Sequence, residues 1–144
     1  MYRWNSIGTA FAYNTRIAKF NEFALFTSVT STQAAYGFRG CSALKEVTIP
    51  SSMRILNSYA FYQTILVDAT IPSAVTSIGS RVFGNCTKLK TITCLPINPP
   101  SLDSLGFQNA TALVNIYVPA SAVDTYKAAS NWSAYASKIS AIPE

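Results

Sequence analysis

Histidine is absent from the 144 residues. With it go the usual general base, the usual zinc ligand and every Ser-His or Cys-His nucleophile pair. Charge is scarce as well: Asp, Glu, Lys and Arg make up 12% of the chain, against 49% hydrophobic residues. That is about half the usual charged share, which excludes a disordered chain or a charged nucleic-acid tail. Long apolar runs are missing. The longest, such as Phe23-Ala24-Leu25-Phe26, hold four residues, whereas a helix needs about 18 to cross a bilayer. The three cysteines, Cys41, Cys86 and Cys94, are too few and wrongly spaced for a zinc site or a disulfide framework. The opening MYRWNSIGTAF has no charged segment followed by an apolar stretch and a cleavage site. On that basis the protein stays inside, or its leader has been removed. The net charge of +5 comes from scattered lysines and arginines, the tightest grouping being Lys88 with Lys90. Phosphate neutralisation needs several cations on one surface, so nucleic acid is not an expected partner. What remains is the composition of one globular domain with an apolar core.

The chain repeats itself. FRGCSALKEVTIP from Phe38, FYQTILVDATIP from Phe61, FGNCTKLKTITCLP from Phe83 and FQNATALVNIYVP from Phe107 share one frame. Each has a phenylalanine, then an aliphatic residue, then a short alternating run closed by proline. The phenylalanines recur at intervals of 23, 22 and 24 residues, and Pro50, Pro72, Pro96 and Pro119 at 22, 24 and 23. A leucine follows at six residues in three copies (Leu44, Leu89, Leu113) and at five in the other (Leu66). PSSMRILNSYAF and PSAVTSIGSRVF continue the frame, with Met53 over Val75 and Leu56 over Ile78. A weaker copy runs IGTAFAYNTRIAKF, with Phe11, Ile17 and Phe20 in the repeat positions. From Asn21 to Tyr36 the frame is lost, and FALFTSVTS alone has strand-like apolar content.

A unit this short cannot offset the entropy of fixing its own backbone with four large apolar side chains. Stacked units share apolar faces and hydrogen bonds, with caps at the ends. The alternation in Val47-Thr48-Ile49, Ala69-Thr70-Ile71, Ile92-Thr93-Cys94 and Ile116-Tyr117-Val118 predicts a strand in each unit, its middle residue outward. Successive units then build a parallel sheet, and proline ends each strand. The phenylalanine region predicts a tight helical turn on the opposite side. The expected fold class is α/β: a right-handed solenoid of about five coils of some 23 residues, one parallel sheet face, short helical turns opposite. Cys41 and Cys86 take equivalent places two coils apart, about 10 Å at ~4.8 Å per strand step, beyond the ~7 Å that a disulfide spans. Both are expected as free, buried thiols, and Cys94 as an inward strand residue.

After Pro119 the period becomes helical. Ser121 is placed to cap a helix, with Asp124 three residues on. Trp132, Tyr135, Ala136 and Ile139 lie on one helical face. The expectation is two short helices closing the last coil. The whole chain, 1–144, then reads as a single domain, with divergent coils over 1–37, regular repeats over 38–119 and a helical cap over 120–144.

The pattern AF..C..L..V.IP..V..IG is carried by Ala60-Phe61, Phe38 to Cys41, Leu44, Val47, Ile49-Pro50, Val75 and Ile78-Gly79. On these residues the sequence resembles the BspA-like leucine-rich repeat family of treponemal and gut-bacterial surface proteins. The resemblance covers roughly Ile7 to Ile142. FNEFALFTSVTS and IYVPASAVDTYKAASNWSAYASKI also look like segments that flank the repeats in such proteins. The chain departs from the pattern at Thr64 and Ala110, where cysteine is expected, and in the missing residue before Leu66. The resemblance implies a secreted or surface-attached bacterial protein, with adhesion to host or bacterial surface proteins as its activity. The N-terminal end has no evident cap and reads as part of a longer chain.

The outward strand residues form two columns: Glu46, Asp68, Thr91, Asn115, and Thr48, Thr70, Thr93, Tyr117. This face is the candidate ligand-binding surface, offering one residue per coil at even spacing. Threonine is also simply a favoured solvent-facing strand residue. Adjacent coils would bring Glu46 and Asp68 close to the carboxylate separation of retaining glycosidases, but an open sheet has no pocket to desolvate an acid. A bridging cation is a further option for this pair. Asn-X-Ser/Thr triplets begin at Asn85, Asn109 and Asn131 and carry no assigned role. The reading is a non-catalytic protein-binding or adhesion module, the alternative a structural spacer or carbohydrate-contacting segment of a larger secreted protein. It calls for no cofactor or metal, and the partners are a host or bacterial surface protein, or a glycan.

Overall fold

Each repeat turns on its phenylalanine, and in the computed structural model these rings form one file. Phe11, Phe38, Phe61, Phe83 and Phe107 follow one another with centroids 5.2, 5.4, 5.4 and 5.9 Å apart and nearly parallel planes. Phe38, Phe61 and Phe83 have no exposed surface. The structure describes residues 10–26, 28, 30 and 37–144. The divergent first copy keeps its phenylalanine in the file despite the longer interval to the next. Of FALFTSVTS, the part through Leu25 lies in a 3-10 helix, Asn21–Leu25, not in a strand. Residues 27, 29 and 31–36 lie outside the described residues.

On the side away from the rings are β1 (Lys19–Phe20), β2 (Glu46–Val47), β4 (Asp68–Ile71), β6 (Thr91–Cys94) and β8 (Asn115–Val118), all paired in parallel where they pair. Inward members such as Ala69, Ile71, Ile92, Cys94, Ile116 and Val118 are buried, as period-two alternation requires. The sheet is not continuous: β1 pairs with β2, and β4, β6 and β8 belong to a separate sheet. A second narrow ladder joins β3 (Ile55–Leu56), β5 (Ser77–Ile78) and β7 (Ser101–Leu102). It sets Leu56, Ile78 and Leu102 in the core.

A third set of hydrogen bonds runs along the phenylalanine side. Phe38, Phe61 and Phe83 donate from N–H to the carbonyls of Ala60, Val82 and Gly106 in the next coil, at 2.7, 2.9 and 3.0 Å. On the sheet side the direction is opposite: Lys90 N–H donates back to Val67 at 2.7 Å and Leu95 N–H to Ile71 at 3.0 Å. Each coil therefore spends backbone groups on both neighbours, which answers the demand that buried amides be paired. Tight turns follow the phenylalanines, as in Cys41 N–H to Phe38 C=O at 3.1 Å. The residue two places on takes a left-handed conformation: Tyr13, Gly40, Gln63, Asn85 and Asn109 have φ between 55° and 69°. Gly40 is fixed by contact as well, since a Cβ there would stand 2.6 Å from the Tyr13 ring.

The end of the chain corrects the sequence expectation. Short helical turns are present, a 3-10 turn Ala120–Ala122, α1 (Val123–Ala128) and a 3-10 helix Ser133–Lys138. Ser121 caps none of them, because the chain is already helical there and α1 starts at Val123 without a side-chain cap. Ile139 is not on a helix face: it opens β9 (Ile139–Ala141), which pairs in parallel with β8, Ile116 to Ile139. A helix cannot satisfy the open hydrogen-bonding edge of β8, whereas a strand does. Trp132 and Tyr126 are buried beneath, with the indole N–H donating to Pro100 C=O and the phenol to Pro96 C=O, both at 2.8 Å.

Candidate functional site

The outward columns of the sheet are laid down by register. Asp68 stands opposite Thr91 and Thr91 opposite Asn115; Thr70 stands opposite Thr93 and Thr93 opposite Tyr117. Ser140 of β9 continues the second column beyond Tyr117. These six predicted residues share one face of one sheet, spaced by the interstrand distance of about 4.8 Å. Thr70 and Asp68 are exposed and the others half-buried.

Glu46 and Thr48 do not join them. Glu46 belongs to the β1–β2 pair, where it makes an ion pair of 2.8 Å with Lys19, and Thr48 follows just after β2, its hydroxyl donating to Asn21 Oδ1 at 3.1 Å. Among the described residues no backbone hydrogen bond joins β2 to β4. The space between them is a groove of about 480 Å³ lined by Lys45, Glu46, Val47, Thr48 and Asn21 on one side and Val67–Thr70 on the other. A smaller groove of about 210 Å³ continues it past Ile49 and Pro72 to Leu95. The columns are thus two segments separated by a groove rather than one unbroken array, and Glu46 and Asp68 sit on different sheets. Among the described residues no three His, Cys, Asp or Glu side chains gather as a metal site.

The residue pattern of the family described as BspA type leucine rich repeat region matches in six copies over residues 5–133. The chain belongs to the BspA-type leucine-rich repeat family. A leucine-rich cell surface protein from Faecalibacterium prausnitzii A2-165 has a similar solved structure: TM-score 0.51, 22% identity, 81% of this chain and 45% of that one covered. The chain therefore spans less than half the length of that protein, and the likeness is one of fold. No curated protein matches the chain.

The BspA-type cysteine position has a clear structural role. Cys41 and Cys86 are free and buried, and each thiol lies against the phenylalanine carbonyl of the preceding coil, Phe11 at 2.9 Å and Phe61 at 3.1 Å. Where the repeat has Thr64 instead, the hydroxyl donates to Phe61 C=O of its own turn at 3.0 Å and lies 3.3 Å from the Cys86 sulfur. Burial pushes the Cys86 thiol up to about 11, with the Thr64 hydrogen bonds pulling the other way. Burial also raises Cys41 and Cys94, the latter an inward strand residue as expected. None of the three presents the exposed, low-pKa thiolate that nucleophilic chemistry needs.

Sequence reasoning missed a ladder of polar groups on the turn side. The Arg39 guanidinium lies 4.8 Å from the Tyr59 ring centre and 5.5 Å from that of Tyr62. Arg81 donates to Tyr59 Oη at 3.0 Å and to Gln108 Oε1 at 2.6 Å. Asn85 donates to Tyr62 Oη at 2.7 Å, and Asn109 to Asn85 Oδ1 at 2.9 Å. The triplet asparagines 85, 109 and 131 all have positive φ, a conformation that asparagine tolerates, so turn geometry explains their presence. For Asn85 and Asn109 the available signal was a fixed place two residues after Phe83 and Phe107.

Proposed function

We propose that the chain is a non-catalytic protein-binding module of a secreted or cell-surface bacterial protein, working by adhesion through its sheet face. It acts as one unit over residues 1–144, a right-handed solenoid of about five coils. The observation that carries this reading is the register that lines up Asp68, Thr91 and Asn115 beside Thr70, Thr93 and Tyr117 on one side of β4, β6 and β8. Family membership supports surface exposure, and the similar solved protein bears the description leucine-rich cell surface protein. A flat face of hydroxyls, amides and one tyrosine suits a protein partner, since tyrosine brings contact area with little entropy to lose.

The partner is a host or bacterial surface protein. A glycan is the competing occupant, and it rests on Tyr117 alone. The test is a display screen of extracellular proteins and a glycan array, both probed with the parent and with Thr93→Lys/Tyr117→Ala. A protein binder lost in that double variant and kept in Val114→Lys, whose residue is exposed beside the column, supports the reading. Binding indifferent to the double variant, or response on the glycan array alone, contradicts it.

A further inference from the structure

The break in the sheet between β2 and β4 has its cause in the sequence. Leucine follows phenylalanine at six residues in the repeats beginning at Phe38, Phe83 and Phe107, but at five in the repeat beginning at Phe61. In the six-residue repeats the residue after that leucine donates to the preceding coil: Lys45 N–H to Ala18 C=O at 2.8 Å, Lys90 to Val67 at 2.7 Å, Val114 to Lys90 at 3.0 Å. In the short repeat the residue before it donates instead, Ile65 N–H to Leu44 C=O at 3.1 Å. From there β4 runs past β2 without a ladder.

The joint between these two coils is uneven. On the turn side Phe38 and Gly40 donate to Ala60 and Tyr62, both at 2.7 Å, and Phe38 stacks on Phe61 at 5.4 Å. On the third side β3 pairs with β5, and Gly79 N–H reaches Leu56 C=O at 2.8 Å. On the sheet side the Ile65 bond alone crosses among the described residues. The next joint is complete on all three sides: Phe61 N–H to Val82 C=O at 2.9 Å, Asp103 N–H to Ile78 C=O at 3.0 Å, and four residues of β4 in register with β6 between the Lys90 and Leu95 bonds. The joint before has its own ladder, β1 with β2, and side-chain ties besides. These are the Lys19–Glu46 ion pair, the Thr48–Asn21 hydrogen bond and the Cys41 thiol on the Phe11 carbonyl.

The stability of a stack is a sum over its joints. A backbone hydrogen bond shifts an opening equilibrium by about fivefold, so the missing ladder makes this joint at least about tenfold easier to part than the one after it. Two coils on their own bury too little apolar surface to offset the ordering of their backbone, and they melt once they part. We infer that the chain holds two cooperative units: the first two coils, through Leu56, leave Phe61 and unfold together while the coils from Asn57 onward stay folded. Asp68, Thr91, Asn115, Thr70, Thr93 and Tyr117 lie wholly in the second unit, so the face of β4, β6 and β8 outlasts the loss of the first. The two-unit behaviour stands whether or not that face binds a partner.

Native-state hydrogen exchange on the full chain, in rising urea below the unfolding transition, reads the two openings. Tyr13 and Lys45 donate within the first unit, and Phe38, Gly40 and Gly79 donate across the joint. These amides converge on one opening, at least about tenfold more frequent than the one shared by Phe83, Lys90 and Leu95. Ile116→Val, in the second unit, speeds exchange at Phe83, Lys90 and Leu95 by about fivefold and leaves the first group unchanged. Inserting one alanine between Ile65 and Leu66 restores the six-residue spacing and slows the first group at least about tenfold. If the insertion variant does not fold, the Ile116→Val comparison decides by itself. Equal opening of both groups in the parent, or Tyr13 and Lys45 opening ahead of Phe38 and Gly79 as in fraying coil by coil, overturns the inference. So does an Ile116→Val effect of equal size in both groups, or a folded insertion variant with unchanged exchange.

Discussion

Replacing Phe61 by alanine removes the middle ring of the file. Its centroid lies 5.4 Å from Phe38 on one side and 5.4 Å from Phe83 on the other, and no part of it is exposed. Truncating a buried phenylalanine costs about 3–5 kcal/mol, and the two stacked partners, held by hydrogen bonds between coils (Phe38 N–H to Ala60, Phe83 N–H to Gly106), cannot fully close the gap. In a stack whose stability is a sum over neighbouring interfaces, one cut in the centre weakens both halves. Taking about 4 kcal/mol and about 3–4 °C per kcal/mol for a chain of this size, the melting temperature falls by about 12–16 °C. Urea unfolding by circular dichroism measures the same loss as a lower midpoint. Val114→Thr, at a side chain 57% exposed, is the control and stays within about 0.5 kcal/mol. A loss of about 1 kcal/mol or less for Phe61→Ala would refute the claim that the rings are the shared core of the stack.

The thiols give two further outcomes. Without reductant, unfolded protein titrates three free sulfhydryls and native protein none at a rapid rate; fewer than three in urea contradicts the assignment of free, buried cysteines. The folded Cys86 thiol is held near 11 against an ordinary 9.0, so the unfolded chain loses its proton first as pH rises. Its contribution to stability is therefore complete below pH 9 and is lost between 9 and 11, about 2–3 kcal/mol in all. Urea midpoints across that range show the decline, to which the raised Cys41 and Cys94 thiols add, and Cys86→Ala removes the Cys86 share and leaves theirs. Trp132→Ala leaves the Pro100 carbonyl without its 2.8 Å donor and empties the space against Phe107 and Tyr126, at a cost of about 3–5 kcal/mol. Hydrogen exchange in that variant should show β9 losing protection before β4, and uniform loss would speak against a terminal cap. Gly40→Ala, at φ +69° and with a Cβ 2.6 Å from the Tyr13 ring, destabilises by about 1–2 kcal/mol or more, read from the same urea curves.

Much of the fold was legible because a repeat in parallel register turns sequence position into a column in space. The phenylalanine file, the inward Ala69, Ile92 and Ile116, the equivalence of Cys41 with Cys86 and six of the eight outward residues all follow from that mapping. Where a backbone need decides, side-chain periodicity is silent. Ile139 keeps helical spacing from Trp132, yet the edge of β8 draws it into a strand. The two-residue strands at Ile55, Ser77 and Ser101 are too short to carry a period. One missing residue before Leu66 hardly disturbs the alignment, but it moves a hydrogen bond by two positions and opens the sheet between Glu46 and Asp68. The arginine and tyrosine ladder lies on turn positions that hydrophobic patterning passes over.

The most direct test of the stacked architecture is a nuclear Overhauser experiment on protein labelled at its phenylalanine rings and isoleucine methyls. The account predicts cross-peaks linking Phe38 to Phe61, Phe61 to Phe83 and Phe83 to Phe107, with Ile92 to Ile116 across the sheet. Rings that show contacts to unrelated residues and none to one another would contradict it.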